Sequence, residues 1–88
     1  MLTITPTAYA RLSKQLVDRP DDVAVRIILR EGRVKFRKGR HRTGDTVFNH
    51  EGRPVLLVGQ RTAKQIGNRT LDALETVDGQ RLRLRRPK

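Results

Sequence analysis

Residues 44–58, GDTVFNHEGRPVLLV, decide the fold of this 88-residue chain. Val47 and Phe48 on one side and the run Val55 to Val58 on the other flank a polar link, Asn49 to Arg53, with a single glycine. That pattern reads as two strands joined by a tight turn. Gly52 supplies the positive φ such a link needs, and Pro54 suits the first residue of a strand, where a missing donor does little harm. Four successive apolar positions in the second arm suit a strand covered on both faces, and so predict the centre of the core.

Working outward on the N-terminal side, Thr5 is a good N-cap, Pro6 fits the first helical position, and Ile4 is placed to pack on Tyr9 as a staple. Tyr9, Leu12 and Leu16 recur at helical spacing, with Arg11, Lys14 and Gln15 on the wet side. Leu2 and Ile4 suit a short extended lead-in, and the residue before Pro20 ends the helix. Val23 to Arg30 alternates as a strand, with Val23, Val25, Ile27 and Leu29 on one face and Ala24, Arg26, Ile28 and Arg30 on the other. Glu31-Gly32 is a turn, after which Val34 and Phe36 alternate with Arg33, Lys35 and Arg37. Lys38 to Thr43 contains no apolar residue and predicts a mobile loop.

On the C-terminal side, Gln60 to Ile66 predicts a short helix with Ala63 and Ile66 inward, stopped at Gly67-Asn68. Leu71 to Val77 and Gln80 to Arg85 predict a last hairpin turned by Asp78-Gly79, with Leu82 and Leu84 inward. The result is a single α+β domain over residues 1–88: a small, mostly antiparallel sheet or sandwich with an N-terminal helix and one short helix.

Composition narrows the chemistry. Apolar residues make up 35% and charged residues 33%, between an ordinary globular domain and a disordered basic chain; regular alternation decides for a folded domain. The absence of cysteine excludes disulfides, thiolate nucleophiles and cysteine-held metals or clusters. No apolar run approaches the roughly 20 residues of a membrane span, and the N-terminus lacks a secretory pattern, so the expectation is a cytoplasmic protein without membrane contact.

Three segments together resemble a known family. LTITPTAYARLSKQL (residues 2–16) is similar to the start of the A-type iron-sulfur carriers, the HesB/IscA-like family, where an ITLT-like segment runs into the first helix. GDTVFNHEGRPVLLV resembles that family's hairpin, of the kind DEVFEHDGVKVVVD, and LDALETVDGQRLRLRRP (residues 71–87) resembles its closing LDYVEE and GFKF-NP segments. The resemblance implies a HesB-like fold. It also implies one cysteine in the loop after Val23 to Arg30 and two in a Cys-Gly-Cys tail. That loop here is Glu31-Gly32-Arg33, and the tail would begin where this sequence ends, at Lys88. Arginine and lysine do not replace thiolates as ligands to soft iron, so the family's cofactor is not carried over. The expectation is a degenerate member with no cofactor.

His41, His50, Asp45 and Glu51 lie near one another in sequence, and a nitrogen-and-oxygen metal site is chemically possible there, but the spacing matches no metal motif. No phosphate-cradling loop or nucleophile motif is present. The carboxylates Asp21, Asp22, Asp72, Glu75 and Asp78 sit beside turns or on strand surfaces where solvation accounts for them, so no enzymatic activity is expected.

The charge of +11 is left to explain. Arg30, Arg33, Lys35, Arg37, Lys38, Arg40 and Arg42 fall in one segment, and Arg81, Arg83, Arg85, Arg86 and Lys88 crowd the C-terminus. If both cationic strands lie on one sheet face they form a surface for polyanions. Alternating cations also serve simply as the solvated side of an amphipathic strand, guarding an edge. Two readings follow. One is a non-enzymatic accessory or interaction domain that binds a protein with an acidic face, in iron-sulfur assembly if the resemblance is followed. The other is a small nucleic-acid-binding protein without sequence preference, its contacts directed at the phosphate backbone.

Overall fold

The computed structural model describes residues 2–85. Nine elements follow in order: β1 (Thr3–Ile4), α1 (Pro6–Gln15), β2 (Val23–Arg30), β3 (Arg33–Arg40), β4 (Thr46–His50), β5 (Arg53–Val58), α2 (Gln60–Ile66), β6 (Thr70–Thr76) and β7 (Gly79–Arg85). They form a four-stranded sheet of order β3-β2-β5-β4 and a three-stranded sheet of order β1-β6-β7. β2–β5 and β1–β6 pair in parallel and the other three pairs are antiparallel, so the α+β, mostly antiparallel expectation holds.

The decisive hairpin forms as β4 and β5. Its link is tighter than expected: Asn49 and His50 belong to β4, and the turn is Glu51-Gly52, both at positive φ (53° and 77°). That is the primed turn whose twist matches the two strands it joins. Pro54 is the second residue of β5 rather than the first. It stands opposite Asn49 beside a bulge and outside the β2 ladder, where its missing N–H breaks no pairing. β5 is central, and Val55, Leu56, Leu57 and Val58 are all essentially inaccessible.

α1 starts as its sequence predicts. The Thr5 hydroxyl accepts a hydrogen bond from the Ala8 N–H at 3.2 Å and donates to Asp72 Oδ1 at 2.8 Å, so one capping residue also ties the helix to β6. Ala8, Leu12 and Leu16 are buried in a core shared with β2, β5, α2 and β6, while Tyr9 packs at its margin and stacks on His50 with ring centroids 5.1 Å apart.

Further boundaries differ from expectation, and α1 ends at Gln15 with Leu16 as its C-cap, ahead of the residue before Pro20. Lys38 to Arg40 is not a loop: β3 runs on to Arg40, because β2 offers eight paired positions and Val25, Ala24 and Val23 face Lys38, Gly39 and Arg40. The ladder overrides the absence of apolar residues. The last hairpin turns at Val77-Asp78, one residue early; Gly79, at φ 112°, already pairs with Thr76, and the Thr76 hydroxyl donates to the Gly79 carbonyl at 2.7 Å.

Since β5 anchors both sides of the core, Leu56→Ala is expected to cost about 2–5 kcal/mol. Val77→Ser, at a fully exposed turn tip, should change stability by less than about 0.5 kcal/mol. Urea denaturation of the two variants measures both.

Candidate polyanion-binding surface

The β2–β3 hairpin turns through Glu31 and Gly32, both at positive φ (52° and 76°), and its register then fixes which cations share a face. Arg30 stands opposite Arg33, Ile28 opposite Lys35, Arg26 opposite Arg37 and Ala24 opposite Gly39. These side chains occupy the outer face, while Val34 and Phe36 pack inward against the core. Lys38 and Arg40 have the phase of Phe36 but lie exposed at the strand's end.

Arg26 is the exception in this row. Its partner Asp45 lies in the link from β3 to β4, strands at opposite edges of the sheet, so the link must pass across β2 and β5. Arg26 Nη1 donates to Asp45 Oδ1 at 2.8 Å and Nη2 to Oδ2 at 2.7 Å, a bidentate pair. Nη2 also reaches the Arg40 carbonyl at 3.1 Å, and the Arg42 N–H donates to Asp45 Oδ2 at 2.8 Å. The crossing link covers the face on which Ala24 and Leu57 are fully buried. The Arg26 guanidinium is the main reason that the Asp45 carboxyl falls to about 2, with the Arg42 N–H assisting against burial.

The remaining cations divide by partner. Arg40 Nε meets Asp22 Oδ2 at 2.7 Å, Arg85 lies 3.6 Å from Asp72, and Arg81 lies 3.9 Å from Asp78. The Asp22 carboxyl is lowered chiefly by its hydrogen bond from Arg40, and that of Asp72 chiefly by its hydrogen bond from Thr5. Arg30, Arg33, Lys35, Arg37 and Lys38 make no ion pair among the described residues. Other cations, among them Arg42 and Arg83, are likewise without an ion pair among the described residues, but these five are consecutive along one hairpin.

Two grooves flank this edge. One, of about 340 Å³, has Arg37, Lys38, Arg40 and Arg42 around Ile28 and Gly39. The other, of about 460 Å³ and on the side of the sheet that faces α1, is lined by Arg11, Gln15, Val25, Phe36, Arg37 and Lys38. Arg11, expected on the wet side of the helix, is half-buried, and its Nε is inaccessible and has no hydrogen-bond partner among the described residues.

The condition set for one surface, a sheet face shared by both cationic strands, does not hold: β3 belongs to the four-stranded sheet and β7, with Arg81, Arg83 and Arg85, to the other. Sequence alternation sets phase within a strand, not which sheet the strand joins. Arg86 and Lys88 lie outside the described residues. Asp45, weighed as a metal ligand, is instead committed to Arg26; His41 is exposed, and His50 stacks on Tyr9. Among the described residues no three His, Cys, Asp or Glu side chains gather as a metal site would require. The pair Arg26–Asp45 was missed as a pair, although an arginine inside the apolar run VAVRIILR is a signal that a carboxylate must meet it.

No family model and no curated protein matches the sequence. Solved structures do. Escherichia coli SufA, described as involved in biosynthesis of iron-sulfur clusters, superposes with a TM-score of 0.77 at 23% identity, over 99% of this chain and 86% of that one. IscA, solved with a 2Fe-2S cluster, superposes with a TM-score of 0.68 at 18% identity over the same shares. The chain has the iron-sulfur carrier fold. The donor set does not fit the cluster that IscA holds: the 88 residues contain no thiolate, and the turn after β2, Glu31-Gly32-Arg33, is exposed and flanked by arginines.

Among the described residues no helix is long and apolar enough to cross a membrane.

Asp45 is worth most to stability where it is ionised. Its folded value lies below the ordinary 3.8, so its contribution, about 2 kcal/mol, is present above pH 3.8 and is lost as pH falls towards 2. Asp45→Asn is expected to remove that acid-dependent step. Asp45→Ala, leaving a largely buried Arg26 unpaired, is expected to cost about 3–5 kcal/mol at neutral pH. Urea titrations between pH 2 and pH 7 test both outcomes.

Proposed function

We propose that this protein is a non-enzymatic interaction domain that uses the iron-sulfur carrier fold as a scaffold, without cluster ligands of its own, and binds an acidic protein face through the β2–β3 edge. One observation carries this reading: Arg30, Arg33, Lys35, Arg37 and Lys38 lie along one hairpin and make no ion pair among the described residues, while on β7 Arg81 and Arg85 stand near Asp78 and Asp72 and Arg83 alone is unpaired. An unneutralised row on a rigid strand presents charge at fixed spacing, which favours encounter with a partner of opposite sign. The fold likeness supports a partner within iron-sulfur assembly, and the cytoplasm is the compartment this reading expects.

Nucleic-acid binding is the second reading, favoured by the groove among Arg37, Lys38, Arg40 and Arg42, whose neighbouring carboxylates Asp22 and Asp45 are already engaged. Such binding would be directed at phosphates and would weaken steeply with salt. Aromatic stacking has little to draw on, since Phe36 packs inward.

The two readings separate in one experiment. Affinity capture with the wild-type chain and with the Arg33→Glu, Lys35→Glu, Arg37→Glu variant is carried out after nuclease treatment, alongside anisotropy of a labelled mixed-sequence oligonucleotide at low and near-physiological salt. The expected result is a nuclease-resistant acidic partner lost in the triple variant, with oligonucleotide binding confined to low salt. Partners that vanish with nuclease, together with oligonucleotide binding that persists at the higher salt, would replace the protein-docking reading with the nucleic-acid one.

A further inference from the structure

β3 is the outermost strand of the four-stranded sheet, and β2 is its one pairing partner among the described residues. The two-residue turn at Glu31-Gly32 makes Arg30 and Arg33 a mutually hydrogen-bonded pair. By alternation the backbone groups of Arg33, Lys35, Arg37 and Gly39 point to β2, and those of Val34, Phe36, Lys38 and Arg40 point away from it. The Arg40 carbonyl is taken by Arg26, which leaves Val34, Phe36 and Lys38 with both groups offered outward.

An edge of this length is a template for another strand. A second copy of β3 is a poor occupant, since antiparallel self-pairing sets rows of arginine and lysine against each other. An acidic strand has the opposite fit. Its side chains would alternate between the two faces of the extended sheet, and each face carries a cation-lined groove beside Lys38. On the side facing α1, the groove is lined by Arg11, Arg37 and Lys38. The other edges suit this less well. β4 is short and bulged, β1 has two residues, and carboxylates already stand beside Arg81 and Arg85 of β7.

We propose that β3 binds an extended acidic segment of a partner protein by strand addition, through the outward backbone groups of Val34, Phe36 and Lys38, with acidic side chains seated in the flanking grooves. This rests on the reading of the hairpin as an acidic-partner surface and adds the mode of contact.

The test uses the full chain and a labelled peptide of alternating glutamate and valine long enough to run along β3, compared with the same peptide N-methylated at alternate amides. Charge and composition are shared; only the ability to extend a sheet differs. Anisotropy at near-physiological salt should show the unmethylated peptide binding at least about tenfold more tightly, as loss of two or three backbone hydrogen bonds implies. Lys38→Pro, which removes an outward donor at an edge where proline is tolerated, should weaken binding well beyond Lys38→Ala. Hydrogen exchange at Val34, Phe36 and Lys38 should slow in the complex. If Lys38→Pro fails to fold, the methylated peptide and the exchange pattern decide. Equal binding of the two peptides would overturn strand addition and leave charge-based docking standing. Failure of both peptides to bind, whether or not an oligonucleotide binds under the same conditions, would overturn strand addition and the acidic-partner reading together.

Discussion

Two oxygens of Asp45 and two terminal nitrogens of Arg26 hold the segment that carries the chain from one edge of the larger sheet to the other. The constraint is topological. β3 and β4 are sequence neighbours but sheet-order extremes, so five residues must pass over β2 and β5. A link with no apolar residue of its own has nothing to bury there, and Ala24 and Leu57 beneath it would otherwise meet water. The guanidinium supplies a fixed fork, the carboxylate fits it, and the Arg40 carbonyl and Arg42 N–H complete the set on either side of the crossing. With the link held, β5 is enclosed between two strands and covered on both faces, the condition that its four successive apolar residues imply.

The fold was legible wherever a local signal was also the tertiary one. Thr5-Pro6 starts α1, Gly52 turns the central hairpin, and Val55 to Val58 form the centre of the core, because cap, turn and burial are each decided within a few residues. Legibility failed where a distant partner decides. Lys38 to Arg40 contain no strand signal of their own and are extended because β2 pairs with them. Thr3–Ile4 is a lead-in by sequence and a parallel strand only because Thr70 and Leu71 lie beside it. Nothing in the spacing of Arg81, Arg83 and Arg85 states that β7 closes a separate sheet.

The candidate surface was legible in part for the same reason. The residues carrying the charge are plain in the sequence, but which of them remain unneutralised is a property of three dimensions. Asp22 and Asp45 are 18 and 19 residues from Arg40 and Arg26, and these pairings leave Arg30, Arg33, Lys35, Arg37 and Lys38 unpaired beside them. Of the chain's nine carboxylates, none pairs with those five cations among the described residues. The bland alternative, a solvated edge protected from aggregation, explains why cations stand there. It does not require the grooves on both faces.

Retaining a fold while holding none of its thiolates in these residues is physically coherent, because the two depend on different parts of the chain. Stability here comes from Leu12, Leu16, Ile27, Leu56 and Leu71, all inaccessible, together with the crossing link. The turn after β2, where the resemblance places a ligand, contributes only its two positive-φ residues and touches no part of the core. Glu31, Gly32 and Arg33 are all exposed, so replacing a ligand there removes metal chemistry and leaves packing untouched. The same turn sets the phase of β3, and with it which backbone groups face outward. The position where the resemblance places a cluster ligand therefore controls, in this chain, which backbone groups of the edge strand β3 face outward.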